Sequence, residues 1–170
     1  ESGQADNTIC VFTSDHGDMM GDHYLLTKGV LYEESVKVPF LLRVPGLTSR
    51  KIPGRFSQID LVPTLLDLLG EPISKHLEGK SRVPTLRGES TLDDAFIQWN
   101  QPNDLWRTVV SSEGWKLNLS PNDQCEFYDL NTDPHELQNL FDDPSRRDHV
   151  LDLTNRISQW QERYGDEAQL

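Results

Sequence analysis

Residues Asn7 to Thr13, NTICVFT, form a β-branched, almost wholly apolar run that stops abruptly at Ser-Asp-His-Gly-Asp. A run of this kind reads as a buried strand of a parallel sheet, and it constrains the fold more than any other stretch of the chain. In open α/β sheets, ligands gather beyond the carboxyl ends of the strands, so polar residues that follow such a strand directly are the first place to look for chemistry. A second strand is expected over Val38 to Val44, VPFLLRV, closed by Pro45-Gly46, with Pro39 near its start where a strand tolerates proline. Between them and the next turn signal, DLVPTLLDLL places apolar residues at 61, 62, 65, 66, 68 and 69. That spacing predicts a helix ending at Gly70 and packing against the sheet.

Residues 71 to 95 are rich in Gly, Pro, Ser and charge, and read as a long connection. Beyond it, AFIQW, WRTVV, WKLNL and CEFYDL alternate with turn residues at Gln101-Pro102-Asn103 and Ser120-Pro121-Asn122-Asp123, the pattern of a small antiparallel sheet. From Pro144-Ser145 onward, Val150, Leu153, Ile157, Trp160 and Tyr164 recur at three- and four-residue spacing, which predicts one amphipathic helix. The expected class is α/β: the edge of a mixed sheet over residues 1–94, then a small antiparallel sheet with a terminal helix over residues 95–170. No internal repeat interrupts this order.

The chain of 170 residues carries 16 Lys+Arg against 28 Asp+Glu, a net charge of −12. With no basic stripe, it lacks the clustered positive charge that phosphate-backbone binding needs, so nucleic acid is not an expected partner. Hydrophobic residues make up 35% of the chain, enough to build a core, which excludes wholesale disorder. No apolar stretch reaches the length of a membrane span. The two cysteines, Cys10 and Cys125, are far apart, so no disulfide framework or zinc knuckle follows, and Cys10 is expected to behave as a small buried hydrophobe. The opening residues run straight into a strand, as a chain does when it begins in the middle of a larger protein.

The chemistry is concentrated in Thr13 to Val38, TSDHGDMMGDHYLLTKGVLYEESVKV. Asp15, His16, Asp18, Asp22 and His23 fall within nine residues, and Lys28 follows five residues later. A carboxylate and an imidazole on adjacent residues at a strand end can reach one cation, which makes Asp15 and His16 the natural pair. Two ligands leave a coordination shell incomplete, so further ligands are expected from elsewhere. His23 and Lys28 can be folded toward the same anion, one offering a proton and the other a fixed charge. Metal, imidazole and ammonium together suit displacement at a sulfate or phosphate ester. Taken singly, the same Asp and His residues are turn formers or caps, and Lys28 is a surface lysine. Met19-Met20 reads as gap-filling, and His76, His135 and His149 receive no role.

In order along the chain, these segments resemble the sulfatase family of the alkaline-phosphatase-like superfamily. Its members carry a strand ending in T-S-D-[NH]-G, then G-x-H and a Lys, then Y-E-x-S-x-[KR]-V-P. Here these are Thr13-Ser14-Asp15-His16-Gly17, Gly21-Asp22-His23, Lys28, and Tyr32-Glu33-Glu34-Ser35-Val36-Lys37-Val38-Pro39. Ile59-Asp60-Leu61-Val62-Pro63-Thr64-Leu65-Leu66 is similar to the family's I-D-[IL]-x-P-T-[LI]-L helix. Phe127-Tyr128-Asp129-Leu130, Asp133-Pro134-His135-Glu136 and Asn139-Leu140 are similar to its [LF]-Y-D-L-x-x-D-P-x-E-x-x-N-L signature.

The resemblance implies the C-terminal part of an alkaline-phosphatase-like sandwich, with residues 1–94 in the catalytic α/β domain and 95–170 as the small C-terminal subdomain that shapes substrate choice. It implies Asp15 and His16 as ligands of a divalent cation, usually calcium, Lys28 as a contact of the sulfate, and His23 near the leaving group. Many sulfatases have Asn in place of His16; others, including some near the phosphonate monoester hydrolases, have His. The family's formylglycine nucleophile arises from a C/S-x-P-x-R motif, which neither Cys10 (CVFTS), Cys125 (CEFYD) nor any serine fits, and the family's early Asp-Asp ligands are absent as well. The chain is thus expected to be the C-terminal portion of a hydrolase of sulfated small molecules or glycans, inactive without the remainder of the polypeptide. A phosphonate or phosphate ester hydrolase of the same superfamily and a catalytically inactive binding homologue are the alternatives. The expected compartment is periplasmic or extracellular, since many relatives are exported.

Overall fold

The computed structural model describes residues 3–102 and 104–170. The chain forms two compact units, Glu1–Thr91 and Leu92–Leu170.

In the first unit, β1 (Cys10–Phe12) pairs with β2 (Leu41–Arg43). The pairing is antiparallel, with Val11 opposite Leu42 and Phe12 opposite Leu41, which corrects the expectation of a buried parallel strand. The excursion from Thr13 to Phe40 brings the chain back in the opposite direction, and a two-stranded ribbon buries little of either face. Cys10 is accordingly exposed rather than buried. A short helix α1 (Glu33–Val36) follows the loop, and α2 (Leu61–Leu68) occupies most of the predicted helical segment. Gly70 is left-handed, at φ 73, just past its end. The main contacts of α2 are with the 3-10 turn Gln58–Asp60 before it and with α3 (Val83–Arg87), not with the strands. Val62 and Leu69 are exposed, whereas Pro63 and Thr64 are buried.

Polar anchors account for that inversion. The buried Asp60 carboxylate accepts from Arg82 Nε at 2.6 Å and from the Lys80 backbone N–H at 2.9 Å. Thr64 Oγ1 donates to the Asp60 carbonyl at 2.6 Å and accepts from the Arg82 N–H at 3.0 Å. The segment between residues 71 and 95 is therefore not a featureless connection: it contains α3 and delivers Arg82 to this network. Gly79 is required there, because a Cβ would lie 2.0 Å from the Ile59 carbonyl oxygen.

The second unit matches the predicted meander. Strands β3 (Ala95–Gln101), β4 (Asp104–Val110), β5 (Trp115–Leu119) and β6 (Glu126–Asp129) lie in sequence order, all antiparallel. Of the expected turn at 101–103, Asn103 lies outside the described residues. The terminal helix α4 (Arg147–Tyr164) follows a 3-10 turn at Pro144–Arg146, where the Asp143 side chain accepts from the Ser145 N–H. Leu153 and Ile157 of α4 join Val109, Leu117, Leu119 and Phe127 in one buried apolar cluster. Trp160 stacks on Phe96 with ring centroids 5.6 Å apart.

The FYDL…DP-x-E…NL signature is a set of ties between β6 and the loop that follows it. Asn139 Oδ1 accepts from the Phe127 N–H at 3.0 Å, and its Nδ2 donates to the Cys125 carbonyl at 3.1 Å. Asp133 accepts from the Leu137 and Gln138 N–H groups at 3.1 and 2.9 Å. Glu136, at φ 53, pairs with Lys116 at 2.7 Å, both side chains fully buried. Among the described residues no helix is long and apolar enough to cross a membrane.

Candidate active site

The chain leaves β1 at Phe12 and turns at once, because side chains replace the ladder as partners of the backbone. Ser14 Oγ donates to the His16 carbonyl at 2.8 Å and to Asp15 Oδ1 at 3.3 Å. Gly17 then passes against α1: its N–H donates to the Ser35 carbonyl at 2.8 Å. A Cβ at Gly17 would sit 1.9 Å from the Glu34 carbonyl oxygen, so glycine is required by close approach.

From Met19 the chain makes a closed loop. Met19 N–H donates to the Thr27 carbonyl at 2.7 Å and Gly21 N–H to the Leu25 carbonyl at 3.0 Å. Met19 is wholly buried while Met20 is 83% exposed, so only the first of the pair fills a gap. The loop crowds residues into left-handed backbone: Met20 (φ 49), His23 (φ 52), Tyr24 (φ 59) and Thr27 (φ 67) all lie there without being glycine. Each such residue costs about 1 kcal/mol or more, and strain held by the surrounding structure is a mark of functional loops.

Three of the four sequence-assigned residues meet. His16 Nε2 lies 3.4 Å from Asp15 Oδ2 and 2.5 Å from Lys28 Nζ, although Lys28 is twelve positions away. The other ring nitrogen, Nδ1, lies 2.6 Å from the Gly17 carbonyl oxygen. A carbonyl can only accept, so Nδ1 carries the proton and Nε2 presents its lone pair to Lys28. His23, in contrast, stacks on Tyr32 with ring centroids 3.8 Å apart and planes 9° from parallel. Asp18 Oδ1 caps the Met20 N–H at 3.0 Å, the role of a turn former. Among the described residues no three of His, Cys, Asp and Glu gather as a metal group, so the dense run of five does not converge.

The donor set of Asp15 and His16 fits a divalent cation as a pair. The ring is held by its Nδ1 bond in the tautomer that puts the lone pair on Nε2, where Lys28 now takes it and a cation could, the usual tautomer of a metal-bound histidine. Asp15 is exposed, and desolvation, the largest single influence on its carboxyl, raises it. Hydrogen bonds from its own backbone N–H, the His16 N–H and the Ser14 hydroxyl outweigh that effect and hold it below the ordinary aspartate range. It is thus ionised, as any carboxylate that is to hold a hard cation must be.

Sequence reasoning missed Gln58. Its Nε2 donates to the Ser14 carbonyl at 2.9 Å and the Asp15 carbonyl at 3.2 Å. An amide next to a recognisable helix motif carries no signal of its own, and only the fold brings it to the loop.

Residues 21–163 match a family model described as N-sulphoglucosamine sulphohydrolase, C-terminal. The multifunctional alkaline phosphatase superfamily protein PehA of Trinickia caryophylli is 32% identical over 187 residues, covering 98% of this chain and 36% of that protein. Among solved structures, the 2-O GAG sulfatase BT1596 superimposes with a TM-score of 0.84 at 29% identity, over 98% of this chain and 38% of its own. The phosphonate monoester hydrolase of Agrobacterium radiobacter superimposes with a TM-score of 0.79 at 29% identity, over 95% of this chain and 36% of its own. The chain thus spans little more than a third of the length of each of these proteins.

Proposed function

Because the chain belongs to the sulfatase family and corresponds to the C-terminal part of its members, we propose that the whole protein is a sulfuric ester hydrolase acting on a sulfated small molecule or glycan. The observation that carries this reading is the meeting of the Asp15 carboxylate, His16 Nε2 and the Lys28 ammonium at the end of β1. Asp15 and His16 would hold a divalent cation, calcium in the first instance, with the remaining ligands and the formylglycine nucleophile supplied by other parts of the polypeptide. Such a cation supplies positive charge against the ester's oxygens.

Lys28 shares the Nε2 lone pair that a cation would take. When His16 ligates metal, the ammonium must turn to another acceptor, and an anionic sulfate oxygen is the partner its charge suits. His23, held by Tyr32, would give a proton to the departing alcohol. The 2-O GAG sulfatase among the neighbours supports a sulfated glycan as one substrate class.

A phosphonate or phosphate ester hydrolase is the second reading. His rather than Asn at position 16 and the likeness to the phosphonate monoester hydrolase favour it. The deciding experiment is turnover of aryl sulfate against a phosphodiester by the full-length protein, with calcium titrated by calorimetry in parallel. Asp15→Ala is expected to abolish calcium binding and to lower sulfate turnover about 1,000-fold, the several kcal/mol a metal contributes to transition-state charge. Faster turnover of the phosphodiester puts the second reading first. Calcium binding unchanged by Asp15→Ala overturns the metal assignment.

A further inference from the structure

We propose that Gln58 is a positioning residue for the cation-binding loop, coupling it to the buried Asp60–Arg82 anchor. This rests on reading Asp15 and His16 as the cation ligands. Residues 14–17 are held from two sides. On one side the Gly17 N–H is bonded to the Ser35 carbonyl of α1, at an approach only glycine allows. On the other, one amide nitrogen of Gln58 spans two successive carbonyls, those of Ser14 and Asp15. These are the peptide units on either side of the Asp15 Cα. Fixing both sets the direction in which the carboxylate leaves the backbone, and the second carbonyl leads directly into His16.

Gln58 can act in this way because its own backbone is fixed. It opens the 3-10 turn Gln58–Asp60, whose third residue is Asp60. The Asp60 side chain is 4% exposed and is bound to Arg82, itself 7% exposed, at 2.6 Å. The Lys80 N–H takes the other carboxylate oxygen at 2.9 Å. The path runs from a buried ion pair, through a single turn, to an amide, and then to the backbone of the ligand pair. Neither Gln58, Asp60 nor Arg82 is one of the proposed ligands, so Gln58 is placed behind them, where partners of metal ligands typically change affinity 10- to 100-fold.

Calcium titration of the full-length protein tests this with Gln58→Met, which keeps length and removes the donor, and Gln58→Glu, which keeps shape and puts an acceptor against two acceptors. Both are expected to raise the calcium Kd about tenfold or more. In metal-free protein the Gly17 amide should exchange faster while the thermal midpoint stays where it was. If both variants bind calcium within twofold of the parent while Asp15→Ala does not bind, the positioning role is overturned and the ligand assignment stands. If Asp15→Ala binds like the parent, the ligand assignment fails and takes this proposal with it. An affinity loss accompanied in both variants by a fall of several degrees in midpoint shows a general loss of fold, and also overturns the proposal.

Discussion

Phe12 and Phe127 are both phenylalanines on short antiparallel strands, yet Phe12 is 62% exposed and Phe127 is wholly buried. The contrast holds for the two units that carry them. In the second unit four strands in sequence order present Val109, Leu117, Leu119 and Phe127 to Leu153 and Ile157 of α4, so apolar residues find one another within the unit. In the first unit the ribbon leaves Phe12 and Leu41 uncovered by the rest of these 170 residues, and the contacts within the unit include polar ones: Asp60 with Arg82, Thr64 between them, Gly17 against α1. The unit that carries the candidate chemistry is held by hydrogen bonds and close backbone approaches. The unit without it is held by a core.

The sharpest way to break that contrast is to truncate both rings. Phe127→Ala removes a fully buried ring that stacks on Trp115 with centroids 5.2 Å apart, and should destabilise the second unit by about 3–5 kcal/mol. Phe12→Ala, measured in the same 170-residue chain by the same denaturant titration, should change stability by less than about 0.5 kcal/mol. Equal losses would show that the first unit has an apolar core of its own around β1.

This division explains what the sequence disclosed. Hydrophobic periodicity reports burial, so it located the meander and α4, where Leu153 and Ile157 are indeed the buried positions. The same signal misled over residues 61–69, where six apolar positions promised a face packed on a sheet. The residues buried there are Pro63 and Thr64, the latter because its hydroxyl serves Asp60 and Arg82. Asp15 and His16 stood out because they follow a strand directly, and Lys28 because it follows them in the same motif. Their meeting at His16 Nε2 was not legible, since it depends on a loop in which Met20, His23, Tyr24 and Thr27 are left-handed beside the glycines Gly21 and Gly29. Gln58 and the Lys116–Glu136 pair were invisible for a related reason: each acquires its role from a partner at least twenty residues distant along the chain.

Lys116 and Glu136 bring polar anchoring into the apolar unit, and they set the next test. Both side chains are fully buried and 2.7 Å apart. Lys116→Met keeps the length of the side chain and leaves a carboxylate without its cation, which should cost about 3 kcal/mol or more. The double replacement with Glu136→Leu should recover most of that loss, since well-packed apolar residues can replace a buried pair at little cost. Failure of the double variant to recover would mean that the pair also holds the left-handed turn at Glu136, and that the second unit depends on polar anchors as the first does.

A smaller loss than that at Lys116 is expected at the end of α4, and it is read through pH. Arg107, 2% exposed, donates from Nε and Nη2 to the two oxygens of Asp166 at 2.6 and 2.7 Å, joining β4 to the residues after the helix. These bonds lower the Asp166 carboxyl to about 2, against an opposing desolvation and with further help from Gln161. A folded-state value below the unfolded one means that the stabilisation is complete above the unfolded value near 4 and is lost as pH falls from there toward 2. With discount for the solvent that reaches Asp166, the contribution is roughly 1–2 kcal/mol. Urea midpoints of the second unit measured between pH 5 and pH 2 should fall less steeply in Asp166→Asn than in the parent. Parallel curves would mean that this bidentate pair contributes nothing beyond the other carboxylates, and that the apolar cluster alone decides the stability of the unit.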